Sequence, residues 1–121
     1  MNINRDYLIF YSPKNSEVTM AEDIFFYTSD KNTCNIYISI VGEYQDLQLE
    51  IVIIPPNAQD RSECYYITAK KLEDNKLYEL EVPNTTHGKY LCEIKSISGG
   101  KLNTSNSFTY DVKKSVLRDK E

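Results

Sequence analysis

The sequence predicts an all-β domain, an antiparallel β-sandwich of about seven to eight strands. Three observations carry this. Apolar residues recur with period two in one segment after another, not with the 3.6 period of a helix. Short clusters of Asp, Asn, Gly and Pro separate the segments. The composition suits strands: the 121 residues include ten Tyr, no Trp, and only four Gly and four Pro. Tyr, Ile and Thr favour a pleated, half-buried surface.

The elements follow in order. Residues 7–11 form a short apolar run and a first strand. Cys34, Ile36, Ile38 and Ile40 alternate with Asn35, Tyr37, Ser39 and Val41. Leu47, Leu49, Ile51 and Ile53 alternate with Gln48, Glu50, Val52 and Ile54. Residues 64–69 make a further strand. Tyr78, Leu80 and Val82 alternate with Leu77, Glu79 and Glu81, and Tyr90, Cys92 and Ile94 with Leu91, Glu93 and Lys95. Phe108, Tyr110 and Val112 alternate with Thr109, Asp111 and Lys113 and close the series. Strand side chains point to opposite faces in turn, so each set reads as one half-buried strand. Turns are expected at 29–32, 55–57, 73–75, 83–84 and 98–100. The length fits one domain, with residues 1–113 as the sandwich. Residues 114–121 turn polar and charge-rich, and read as a frayed terminus or as a linker into a further C-terminal region.

Composition excludes some functions. A net charge of −4 argues against a sequence-independent grip on nucleic acid, which needs a basic surface. The longest strictly aliphatic run, Ile51 to Ile54, stops at Pro55 and Pro56, far short of the roughly 20 residues of a membrane helix. Residues 7–11, preceded by Arg5 and Asp6, are too short for the apolar region of a secretory signal. A chain native from Met1 is therefore expected to be made in the cytoplasm and kept there or released by lysis.

No residue set predicts catalysis. His87 sits in a turn before a strand, without a recognisable partner for nucleophilic chemistry. Cys34, Cys64, Cys92 and His87 lack the local spacings typical of structural zinc, so no metal and no cofactor is expected. Carboxylates are scattered over turns and outward positions, and Gly99-Gly100 reads as a hairpin turn, not a phosphate loop. Without secretion, the sequons at Asn84 and Asn103 are chance matches.

His87-Gly88-Lys89-Tyr90-Leu91-Cys92 has the G-x-Y-x-C pattern of an immunoglobulin strand, with Tyr two residues before Cys. This makes the expected sandwich immunoglobulin-like. Two readings of the cysteines follow. Cys34 and Cys92 form an inter-sheet disulfide, or both are buried thiols. The missing core Trp, the leftover Cys64 and the lack of an oxidising compartment favour thiols. Tyr37, Tyr44, Tyr65 and Tyr66 are the candidate interface residues, since Tyr offers contact area with a polar tip. Adjacent Tyr65 and Tyr66 must face opposite ways. Core and rim packing in a Trp-free domain is the competing reading.

Ile24-Phe25-Phe26-Tyr27-Thr28-Ser29-Asp30-Lys31-Asn32-Thr33 and the alternating strand after it resemble the N-terminal domain of phage baseplate upper proteins. The strand from Leu77 ending at Pro83-Asn84, the glycine-led return from His87 to Tyr90, and the closing Ser107-Phe108-Thr109-Tyr110-Asp111-Val112-Lys113-Lys114-Ser115 are similar to that family's later strands. The resemblance runs from about Tyr7 to Leu117. It implies a non-enzymatic structural protein of the virion, in the tail baseplate of phages infecting Gram-positive bacteria. The module would dock to other baseplate proteins, and a C-terminal region would hold receptor-binding proteins. It implies no catalytic residue, cofactor, nucleic acid or membrane insertion, and oligomers only in the assembled particle. Two rival readings are a secreted immunoglobulin-type adhesion or recognition domain, and an enzyme or carbohydrate-binding domain with outward aromatics stacking on sugar rings.

Overall fold

The computed structural model describes residues 5–30 and 34–114. Among these are eleven strands: β1 (Arg5–Ser12), β2 (Glu17–Met20), β3 (Phe25–Tyr27), β4 (Cys34–Ile40), β5 (Gln48–Ile54), β6 (Tyr65–Thr68), β7 (Lys70–Glu73), β8 (Leu77–Glu81), β9 (Gly88–Ser98), β10 (Lys101–Thr104) and β11 (Phe108–Lys113). One single-turn 3-10 helix, Arg61–Glu63, interrupts them. The chain is an all-β sandwich. One sheet has the order β2-β1-β4-β8-β7, the other β3-β11-β9-β5-β6, with β10 pairing to β9. The expected tail falls largely outside the described residues: β11 ends at Lys113 and nothing beyond Lys114 is described.

Each of the seven expected strands is present. Four more, β2, β3, β7 and β10, have only three or four residues each. Segments that short carry too few positions for an alternation to be read. The pairing is also mixed where antiparallel order was expected throughout. β1 lies parallel to β4, with Arg5 opposite Cys34, and β3 lies parallel to β11, with Tyr27 opposite Lys113. Periodicity reports which face a residue takes, not which way its strand runs. These registers bring the start of β1 and the end of β11 to one pole. The opposite pole holds the β1–β2, β4–β5 and β9–β10 connections.

The turns obey backbone sterics. Gly99 and Gly100 have φ of 58° and 77°, so both central residues of the β9–β10 hairpin take the left-handed conformation that a tight two-residue hairpin demands. Gly88 has φ of 134°, and a Cβ there would lie 2.6 Å from Pro56 Cγ. The glycine of the G-x-Y-x-C pattern thus admits the proline turn against the start of β9.

The core is built from the inward faces. Ile9, Ile36, Ile38, Leu80, Ile51, Ile53 and Ile94 are fully buried or nearly so. Each contributes about 1.5–3 kcal/mol relative to an exposed side chain. Tyrosines supply the bulk that Trp would otherwise give. Tyr90 stacks on Tyr110 at 4.7 Å between centroids. Tyr110 meets Phe26 edge-on at 5.8 Å, and Phe26 meets Tyr7 edge-on at 5.4 Å. Each buried tyrosine hydroxyl finds a partner at the rim. Tyr7 donates to Phe25 O (2.9 Å), Tyr78 to Leu47 O (2.5 Å), Tyr90 to Thr86 O (2.7 Å) and Tyr110 to Pro83 O (2.7 Å). Tyr11 shares a 2.7 Å bond with Ser96 Oγ.

Two predictions follow from this interior. Ile38 is fully buried, whereas its neighbour Ser39 lies on the outward face. Ile38→Asp places an unpaired charge in the core and should unfold the domain. Ser39→Asp should change stability by only about 0.5 kcal/mol. Equal losses in thermal melts would contradict this register. The second prediction concerns alkali. Burial raises the pKa of Tyr11, Tyr78, Tyr90 and Tyr110 above the ordinary tyrosine value. A folded-state pKa above the unfolded one stabilises fully below the unfolded value, about 10 for tyrosine, and that stability is lost as pH rises further. Absorbance titration at alkaline pH should show these tyrosines ionising only together with unfolding. Ionisation of all ten tyrosines in a still-folded chain would refute it.

Candidate functional site

The structure does not gather the four candidate tyrosines into one site. Tyr37 lies on the outward face of β4, at the centre of the first sheet. Tyr44 sits in the β4–β5 connection at the far pole. Tyr65 and Tyr66 belong to β6 at the edge of the second sheet, 37% and 53% exposed.

Around Tyr37 the outward face is apolar. Register sets Leu8, Tyr37 and Glu79 side by side, and next to them Phe10, Ser39 and Leu77. Leu8 is 47% and Phe10 40% exposed, and Leu77 is half-buried. Asp6, opposite Asn35, and Glu81 close one end of the tract. Partial desolvation, followed by the nearby Asp6 and Glu79 carboxylates, holds the Tyr37 hydroxyl above the usual tyrosine range. The result is a tract of Leu8, Phe10, Tyr37 and Leu77 laid across three paired strands, interrupted by Ser39 and Glu79 and closed at one end by Asp6 and Glu81, with Lys70 opposite Glu79. An apolar outward tract on a monomer marks an interaction surface more often than a scattered residue does. Leu8, Phe10 and Leu77 were missed by sequence reasoning. The signal was there: the run 7–11 is apolar at every position, so its strand has an apolar outer face as well as an inner one.

Tyr44 forms one wall of a cleft of about 760 Å³ lined by Pro13, Lys14, Leu47, Ser96 and Lys101 among others. Its hydroxyl accepts the Lys14 N–H at 2.9 Å. Gly42, with φ of 105°, leaves room for the ring, since a Cβ would come within 3.1 Å of it. The Tyr11–Ser96 pair is buried beneath. The Leu47 backbone is fixed on both sides, its N–H by Asn75 Oδ1 (2.8 Å) and its carbonyl by Tyr78. The cleft is therefore rigid along its Leu47 wall, and it mixes Lys, Glu and Tyr without a nucleophile–base pair.

The aromatic tract that follows β2 serves the fold. After β3 the chain turns on Asp30, which is 6% exposed. Its carboxylate accepts the Tyr27 N–H at 2.9 Å, and its own N–H donates to Tyr27 O at 3.0 Å. Asn84 Nδ2 donates to Tyr27 O at 2.8 Å and also to Asp30 O. The amide of the first sequon is thus engaged inside the structure. Residues 31–33 lie outside the described residues. His87 is exposed in the turn before β9, and among the described residues no group of His, Cys, Asp and Glu is placed to hold a metal ion.

Cys34 and Cys92 are buried on opposing sheets and Cys64 is half-exposed, and no disulfide joins any of them. Burial pushes the Cys92 thiol far above its ordinary value, which suppresses the reactive thiolate. Among the described residues no helix is long and apolar enough to cross a membrane. No family model matches the chain, and no curated protein matches it.

The cysteine geometry makes a direct prediction. A thiol reagent should label one cysteine, Cys64, in the native protein and all three in denaturant. A denatured count of one would mean that Cys34 and Cys92 are joined in the protein as made.

Proposed function

We propose that this chain is a non-enzymatic docking module, and specifically the attachment domain of a phage tail baseplate protein. The observation that carries the docking role is the Leu8–Phe10–Tyr37–Leu77 tract, large apolar side chains on the outward face of a paired sheet with acidic residues beside them. Interfaces draw most of their affinity from a few aromatic or apolar anchors within a polar rim. The baseplate assignment comes from the sequence resemblance, whose most specific segment forms the β3 strand and the Asp30 turn. Fold alone does not assign a partner.

A second reading has its own support. The strands β4-β8-β7 facing β11-β9-β5 follow the immunoglobulin order, and the Tyr90 hydroxyl reaches back to Thr86 O as a tyrosine corner does. A secreted recognition domain would share both features. A Cys34–Cys92 disulfide in natively made protein would favour it, so the thiol count above bears on the choice.

Light scattering across a sizing column tests the docking role. Mixed with the core proteins of a matching phage baseplate, the domain should elute in a complex of defined stoichiometry. Phe10→Glu should weaken that complex at least about tenfold while leaving the melt unchanged, because the side chain is an outward anchor. Elution of the unmodified domain alone at about 100 µM, a concentration at which even weak specific complexes form, would overturn the role.

A further inference from the structure

We propose that β6 is a docking edge for a second copy of this chain, pairing antiparallel with its own counterpart to join two second sheets into one. This inference needs nothing from the baseplate reading.

An exposed edge strand is a template for pairing, and proteins block it with charge, Pro, bulges or cover. β2 is covered: Val18 N–H donates to Asn106 Oδ1 at 2.7 Å, and Asn106 N–H to Ser16 O. β3 is covered too. Tyr7 bonds Phe25 O, Asp30 accepts the Tyr27 N–H, and Asn84 bonds Tyr27 O. β7 reads Lys-Lys-Leu-Glu, with a bulge between Lys71 and Glu73. β10 begins with Lys101. β6 has none of these devices. It reads Tyr-Tyr-Ile-Thr, uncharged, regular and exposed.

The hydrogen-bond phase says which groups are offered. Ala69 N–H donates to Leu49 O at 3.0 Å, one step beyond the pair Glu50–Thr68. Main-chain groups of successive strand residues point to opposite sides. Residues 65, 67 and 69 therefore bond to β5, and the N–H and C=O of Tyr66 and Thr68 project from the free edge.

The strand complements itself. With Ile67 on the two-fold axis, Tyr66 of each copy faces Thr68 of the other, and each such pair exchanges both main-chain bonds. Tyr66 against Thr68 is a favourable aromatic–β-branched pair. Ile67, half-buried against the core, meets its own image. The flanks agree in charge. Asp60, Arg61 and Glu63 precede β6 and Lys70 and Lys71 follow it, all exposed, so the leading flank is net acidic and the trailing one basic. Antiparallel pairing brings the net acidic flank of one copy toward the basic flank of the other. A parallel pairing would oppose like charges. A strand this short buries less than the roughly 1,000 Å² of a stable interface, so the dimer is weak and forms at high local concentration.

Sedimentation velocity and amide hydrogen exchange, run on the whole chain from about 10 µM to 1 mM, test this range of weak affinity. The expected result is a mass rising toward the dimer, weakened by salt, with exchange at Tyr66 and Thr68 slowing as concentration rises. Thr68→Pro removes an outward donor and no bond to β5, and should weaken the dimer at least about tenfold. Lys70→Glu/Lys71→Glu should do the same through like-charge contact, and it keeps the test valid should the proline variant fold poorly. A monomer at 1 mM would overturn the proposal. So would a dimer that these variants leave unchanged, which would place the contact on β10 or on a sheet face.

Discussion

The structure depends on one constraint: a core filled with tyrosine must satisfy each buried hydroxyl. A buried hydroxyl without a partner costs about 1–3 kcal/mol. The domain meets this by placing the rings inward and their tips at the two poles, on Phe25, Leu47, Pro83 and Thr86 carbonyls and on Ser96. These bonds tie connections to the core. The Pro83-Asn84 turn is held by Tyr110, the approach to β9 by Tyr90, and the β4–β5 connection by Tyr78. Ring packing and loop geometry are therefore not separable here. The same residues that supply apolar area also fix where the chain reverses.

That constraint leaves the exterior free to be apolar in chosen places. The first sheet presents Leu8, Phe10 and Tyr37 on a frame stiffened from within, so a partner docking there would meet a surface that needs little reordering, which would lower the entropic cost of binding. The second sheet presents an open main-chain edge instead. The two surfaces differ in chemistry: one offers side-chain anchors, the other backbone donors and acceptors. A module with both can take part in two contacts at once without competition between them.

Much of this was legible in the residues. The alternations around Cys34, Leu47, Tyr78, Tyr90 and Phe108 specify strands and inward faces, because burial on one side enforces period two. The Gly99-Gly100 and 73–75 turns were legible because their residues suit left-handed backbone, as Asn75 with φ of 64° confirms. The short strands were not legible, nor were the parallel pairings, since both depend on partners distant in sequence. The candidate tyrosines were a partial success of the same kind. Parity shows that Tyr65 and Tyr66 face opposite ways, but not that β6 stands at an edge or that Tyr37 lies beside Leu8. Half of the ten tyrosines are core residues, and no local signal separates those from the rest.

The shared pole of β1 and β11 has a mechanical meaning. Arg5 opposite Cys34 and Lys113 opposite Tyr27 set the first and last strands leaving the sandwich side by side. Tension applied between those two points runs across the strands, so the ladders open bond by bond from that pole, as a zipper does. A load carried from the outer face of the first sheet to the same pole runs along the strands, and the bonds of each ladder share it. The sandwich should thus yield easily when Arg5 and Lys113 are drawn apart and resist when the outer face of the first sheet is pulled against that pole.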